Sequence, residues 1–151
     1  MLKIDFTSTV RKSVILTLFG LFLMSCICLL MIGSSFHVAE PPKSYLGLDN
    51  IAETSQQRVR FLNTLGYDVS PDSEESESIR IPIEFGDVYN NYNELQKRKG
   101  TDLLDYRGAE CVRYTYCESG SDLRCNLIVY QNRIIGGDVC TAALDGEMRN
   151  L

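Results

Sequence analysis

The chain of 151 residues holds a single histidine, His37. Hydrolysis by a His-assisted serine or cysteine needs an imidazole beside the nucleophile, and zinc sites that use His need one or more as ligands. His37 lies in a proline-containing spacer ahead of the predicted domain, so both chemistries are excluded there. Neither G-x-G-x-x-G nor a Walker A string occurs, which removes the usual backbone cradles for nucleotide phosphates. There is no C-x-x-C. The spacing of Cys111, Cys117, Cys125 and Cys140 therefore suits neither a four-cysteine zinc site nor a thioredoxin-type site. Positive charge is also scarce. Of 15 Lys and Arg, three precede residue 33; of 20 Asp and Glu, only Asp5 does; the part beyond carries 12 and 19, a net charge of −7. An acidic domain without a basic stripe does not seek phosphate backbones, so no nucleic-acid partner is expected.

One long hydrophobic run is present. Residues 14–33 (VILTLFGLFLMSCICLLMIG) carry no charge. Twenty helical residues reach about 30 Å, the hydrocarbon thickness of a bilayer. Arg11 and Lys12 precede the run and no Lys or Arg follows before Lys43. The positive-inside rule then keeps residues 1–13 in the cytoplasm and puts the rest of the chain outside the cell membrane. A cleaved signal peptide is the rival reading, with Gly33-Ser34-Ser35 as a weak cleavage site, but its apolar core is usually about 7–15 residues long. Lipidation at Cys26 is a second rival. The apolar run continues past Cys26 through Ile32, which favours a membrane helix containing Cys26 and Cys28 as plain apolar residues.

Residues 34–48 read as a juxtamembrane spacer, with Pro41-Pro42 favouring extended backbone. Residues 49–151 read as one domain. Asn50-Ile51-Ala52-Glu53 and Thr54-Ser55-Gln56-Gln57 are alternative helix starts, and Val59, Leu62 and Leu65 form a stripe ending at Gly66. Tyr67-Asp68-Val69 reads as a short strand. Residues 70–78 (SPDSEESES) read as a solvated acidic loop that lacks the spacing and glycine of a calcium loop. Ile79, Ile81 and Ile83 alternate as a strand that Pro82 confines to an edge or end. A second helix is predicted over 85–99, its apolar face made of Phe85, Val88, Tyr89, Tyr92 and Leu95. A turn over 101–108 leads to strands over 110–117, 123–130 and 133–144, with a bulge or close backbone approach at Gly136-Gly137. The predicted class is α+β: a single transmembrane helix, then two helices on one face of a mostly antiparallel sheet.

The strings IPIEFGDVYNNYNELQKRKGTDLLDYRG (81–108), RYTY (113–116) and LIVYQNRIIGGDV (127–139) resemble a bacterial, clostridial-type family with a C-terminal domain of unknown function. The family is marked by IPxxFxxVYxxYNxLQ and IIGGDV. The resemblance spans about residues 54–151. It implies a short cytoplasmic N-terminus, one hydrophobic segment and one small outer domain. It implies no catalytic residue and no cofactor.

Several side chains are candidates for function. Tyr114 and Tyr116 share a strand face opposite Cys111 and Cys117, and tyrosine-lined sheet faces suit binding; ordinary half-buried packing is the plainer account. In an outer compartment the four cysteines are candidates for disulfides, with Cys117–Cys125 and Cys125–Cys140 as conceivable cross-strand bridges; small reduced core residues are the alternative. Glu84, Asp87, Asp102, Asp105 and Asp138 are the acidic candidates. A carboxylate-based hydrolase would need Asp102 and Asp138 to meet across a cleft. The expected role is non-enzymatic: binding another envelope protein, a peptide or a cell-wall component. The alternatives are a PepSY-like inhibitory or chaperone-like module for an envelope protease, and the hydrolase. No catalytic or metal-binding residue is assigned, and no cofactor is expected.

Overall fold

The computed structural model describes Leu21, Met24 and residues 38–141 and 149–151. The chain divides into two compact units, Met1–His37 and Val38–Leu151. In the first, Leu21 and Met24 are helical and exposed. The rest of the predicted span 14–33, the cytoplasmic segment 1–13, Cys26, Cys28 and His37 lie outside the described residues. Among the described residues no helix is long and apolar enough to cross a membrane.

The second unit is α+β. Its centre is a five-stranded antiparallel sheet in the order β3 (Glu75–Arg80), β4 (Glu110–Cys117), β5 (Leu123–Tyr130), β6 (Arg133–Thr141) and β7 (Arg149–Asn150). A separate hairpin pairs β1 (Ser44–Tyr45) with β2 (Leu48–Asp49). The helices are α1 (Ser55–Thr64) and α2 (Asp87–Lys97), with short 3-10 helices at Pro71–Ser73 and Leu103–Tyr106. The alternating runs and short loops of β4 and β5 yield strands with the predicted limits. Gln131 and Asn132, at φ 48° and 61°, make the tight β5–β6 turn that positive φ at both central residues favours. β6 ends at Thr141 within the described residues, short of the predicted limit at 144.

The two helices lie on opposite faces of the sheet, not on one. Val59, Phe61 and Leu62 of α1 pack with Tyr116, Cys125, Leu127, Val129, Ile134 and Val139. Phe85, Tyr89 and Tyr92 pack with Ile81, Leu103, Tyr106, Cys111, Ile128 and Ile135. The reason lies in β5, where Leu127-Ile128-Val129 is apolar without alternation. Such a run needs cover on both sides, as in strands buried between two layers.

Local chemistry sets the remaining elements. Thr54 is the N-cap of α1 and forms a capping box with Gln57, so the second of the two predicted starts is the one used. Asn50 instead is buried and serves as a strand substitute: its Nδ2 donates to Ile134 O at 2.8 Å, and Ile134 N donates to Asn50 O at 2.9 Å. Residues expected as spacer also belong to the domain. Tyr45 is 1% exposed, and Ala39 N donates to Asp105 O at 3.0 Å. The predicted boundary at 48/49 therefore moves to Val38.

The acidic segment 70–78 is not a loop throughout. Ser70 caps the 3-10 helix Pro71–Ser73, and Glu75 starts β3. An edge strand tolerates charge on both faces, and here the charges find partners across the ladder: Arg113 pairs with Glu77, and Arg124 approaches Glu75 at 3.9 Å. Tyr67–Val69 reduces to one isolated bridge, Val69 to Glu118. Of the two alternatives predicted at Gly136-Gly137, the close approach falls on Gly137, and the bulge lies just before the pair. The β5–β6 register shifts between Ile128 and Val129, leaving Ile135 as the extra residue. A Cβ on Gly137 would stand 2.6 Å from Asn126 O and 2.3 Å from a Leu151 methyl.

Candidate functional site: a groove beside α2

The seating of α2 decides which surface stays open. Its fully buried residues are not the predicted apolar stripe but two amides, Asn93 and Gln96. Gln96 behaves as a one-residue strand. Gly137 N donates to its Oε1 at 3.0 Å, and its Nε2 donates to Gly137 O at 3.0 Å. The Tyr45 hydroxyl donates to the same Oε1 at 2.9 Å. Asn93 accepts from Leu103 N at 2.7 Å and donates to Asp102 Oδ1 at 2.8 Å. A buried amide left without partners costs about 1–3 kcal/mol, so these five bonds fix the rotation of the helix.

With the amides turned inward, the apolar stripe faces sideways. Val88 is 85% exposed, and Tyr89, Tyr92 and Leu95 are half-buried. Together with Ile79, Ile128 and the polar residues Arg113, Asn126, Asp138 and Cys140, this flank encloses a groove of about 580 Å³. That size falls within the range of ordinary small-ligand and side-chain pockets. A second recess of about 290 Å³ shares Arg113, Asn126 and Cys140, so the open surface continues across the sheet toward Glu75 and Glu77.

A polar chain crosses the groove floor. The Thr115 hydroxyl donates to Asn126 Oδ1 at 2.8 Å, Asn126 Nδ2 donates to Asp138 Oδ2 at 2.8 Å, and the Tyr92 hydroxyl donates to Asp138 Oδ1 at 2.9 Å. Asp138 is only 4% exposed. Burial pushes its carboxyl above the usual range, against the pull of the bonds from Asn126 and Tyr92 and of the Arg113 charge. Tyr92 is pushed up by burial and by the Asp138 charge beside it. The Arg113 guanidinium is paired with Glu77.

The predicted tyrosine face is the closed one. Tyr116 is 0% exposed, and its hydroxyl donates to Glu74 and accepts from Arg58 Nε at 3.0 Å. Tyr114 is half-buried with the Arg58 guanidinium 3.7 Å from its ring centroid. Helix α1 covers this face because its buried Arg58 seeks both rings and the Glu74 carboxylate. The exposed surface expected of Tyr114 and Tyr116 is thus on the other side of the sheet.

The four described cysteines, Cys111, Cys117, Cys125 and Cys140, are free. Cys125 points into the α1 core, with burial raising its thiol to about 12, and Cys111 lies under the α2 face, raised to about 11 by burial. Register puts Cys117 and Cys140 opposite the same Arg124, on the face away from Cys125. Both predicted bridges would need a side chain to cross the sheet, which disulfide geometry forbids without backbone movement.

The acidic candidates also separate. Asp102 caps the 3-10 helix by accepting from Leu104 N at 2.9 Å, and its carboxyl is held low by Asn93, Leu104 and Lys97 in spite of burial. Asp87 occupies the first turn of α2, where its charge suits the helix dipole. Asp105 lies in the first turn of the 3-10 helix Leu103–Tyr106, and Glu84 is exposed. Asp138 is the one of the five that lines the groove. Asp102 thus serves as an end cap, and Asp138 lines a groove that Asp102 does not line. Among the described residues no group of three or more His, Cys, Asp or Glu is placed to hold a metal ion.

Sequence reasoning missed Val88, Leu95, Asn126 and Ile128 as a common surface. The available signal was the pair Asn93 and Gln96 beside the apolar stripe, since two amides three residues apart can claim the inner side of a helix when backbone groups face them. Compared with models of known families, curated proteins and solved structures, the chain matches none.

Proposed function

We propose that the chain is a membrane-anchored binding protein whose outer domain, residues 38–151, captures a partner in the groove beside α2. In this reading residues 14–33 span the membrane once, the N-terminus is cytoplasmic, and the partner is an envelope protein or a peptide. The uncharged run with Arg11 and Lys12 on one side supports the anchor. The resemblance of 81–108 and 127–139 to the clostridial-type family supports the same layout.

One observation carries the binding role. The apolar flank of α2 is held open over a groove by buried polar bonds, so exposure of Val88 follows from how the helix is built in. Apolar, aromatic-lined concavities with a few fixed polar groups are the common form of binding sites. Among the described residues the groove holds one carboxylate, Asp138, with one neutral hydrogen-bond donor on each oxygen, which suits recognition better than hydrolysis by a carboxylate pair.

The test is site-specific photocrosslinking in cells. A photoreactive side chain replaces Val88 on the groove wall or Arg60 on the outer side of α1. The expected result is an adduct from position 88 that Leu95→Asp abolishes, with little from position 60. Equal yields at both positions, or none at 88, would contradict the proposal.

A further inference from the structure

The charges around the groove do not balance, and the imbalance identifies an occupant. Arg113 is paired with Glu77, and Arg124 faces Glu75. The two cations of the open sheet are thus matched one for one by carboxylates on β3. Among the described residues lining the groove Asp138 is the remaining charge; its hydrogen-bond partners, Tyr92 and Asn126, are neutral, and Arg113, already paired with Glu77, reaches it only through its charge. A carboxylate offers about four acceptor sites, of which those two donors take two. The Tyr92 oxygen keeps an acceptor lone pair after donating to Asp138, and the Cys140 sulfur, 3.6 Å from Asn126 Nδ2, lines the same groove. The residual capacity at this end is therefore for donors. The walls leading to it are aliphatic and aromatic: Val88, Leu95, Ile128 and the Tyr92 ring.

Resting on the binding role proposed above, we infer that the groove receives a lysine side chain of a peptide segment, its four-carbon stem against Val88 and Leu95 and its ammonium on Asp138. A lysine ammonium is a compact charge with three donors on a flexible apolar stem, which matches a donor-seeking floor behind apolar walls. An anionic side chain meets the opposite situation. It would have to displace Glu77 from Arg113 while lying beside Asp138. A neutral apolar side chain would fill the walls and leave the floor unmatched. Arrival of a cation also relieves the cost of keeping the Asp138 charge buried, since an opposite charge nearby favours the ionised form.

The test uses the full chain in lipid nanodiscs of zwitterionic phosphatidylcholine, with 13C-labelled Val and Leu methyls and Asp carboxyls. Three probes are titrated: N-acetyl-Leu-Lys-Leu-amide, its glutamate counterpart, and its norleucine counterpart, which keeps the stem and drops the charge. The expected result is that the lysine peptide shifts the Val88 methyls and the Asp138 carboxyl together and binds about tenfold or more tightly than the other two, as a charge-assisted hydrogen bond implies. In Asp138→Asn the lysine preference over norleucine disappears while the norleucine peptide still shifts the Val88 methyls; that residual shift reports an intact groove. Equal binding of lysine and norleucine peptides to the unaltered chain overturns the lysine assignment and leaves the groove as an apolar site. Preference for the glutamate peptide overturns it too. Absence of any Val88 shift with all three overturns both the assignment and the groove reading.

Discussion

The two faces of the sheet are built from similar side chains and end differently. On the α1 face, Arg58 is buried among Glu74, Tyr116 and the Tyr114 ring, and every strand from β4 to β6 contributes to one continuous core. On the α2 face, the fully buried residues of the helix are two amides bonded mainly to backbone, and the apolar stripe is left half-buried at the rim of a groove. The lesson concerns what seats a helix. An apolar stripe has no preferred partner, whereas a buried glutamine must satisfy its oxygen and its amino group at once. Where the two demands conflict, the directional bonds decide the rotation and the apolar residues take what surface remains.

The largest blow to this contrast falls on the closed face. Arg58→Ala removes the buried member of a partly buried pair, its bonds to Tyr116 and Ala52 O and its stacking on Tyr114, so a loss of about 3–5 kcal/mol is expected in urea unfolding. On the other face Gln96→Ala unpairs the buried Gly137 N–H and C=O and should cost about 2–4 kcal/mol. It should also release α2, so hydrogen exchange at Gly137 would rise far more than at Leu127. If exchange at Gly137 stays slow in Gln96→Ala, the amide is not what seats the helix.

Acid sharpens the comparison, because one carboxyl on each face is shifted, and in opposite directions. At Glu74 burial raises the carboxyl, but bonds from Tyr116 and Arg58 outweigh it and the folded-state value lies below the ordinary one. Its contribution is present above the unfolded-state value and is lost as pH falls through the depressed folded-state value. At Asp138 the folded-state value is raised, burial being the main cause. Its stabilising contribution is present below the unfolded-state value and is lost as pH rises through the raised one. Urea midpoints measured against pH should therefore fall less on the acid side in Glu74→Gln and lose a decline at higher pH in Asp138→Asn. The smallest stability effect belongs to Val88→Ser, expected within about 0.5 kcal/mol because the side chain already faces water, yet it should weaken partner capture.

Much of this was readable from the sequence. β4 and β5 declare themselves by length and turn chemistry, Thr54 by its capping box, and the α2 stripe by its period. Alternation sorts residues between faces but does not say which face a helix will cover, which is why Tyr114 and Tyr116 were expected in the open. The clearest overlooked sign was Leu127-Ile128-Val129, apolar on both sides. Segment 75–78 misled because charge normally marks a loop, whereas an edge strand can carry Glu75 and Glu77 against arginines of its neighbours. The groove itself was beyond reach, because it depends on Gln96 meeting Gly137 across 41 residues of chain.

The most direct test of the central claim, that the open α2 flank is the surface the protein uses, is radical footprinting of the full chain in intact cells and after purification. The account predicts that Val88 and Leu95 are protected in cells and labelled once purified, while Arg60 and Pro71 on the outer side of α1 are labelled alike in both. Equal labelling of Val88 in the two states, or protection confined to the α1 side, would contradict it.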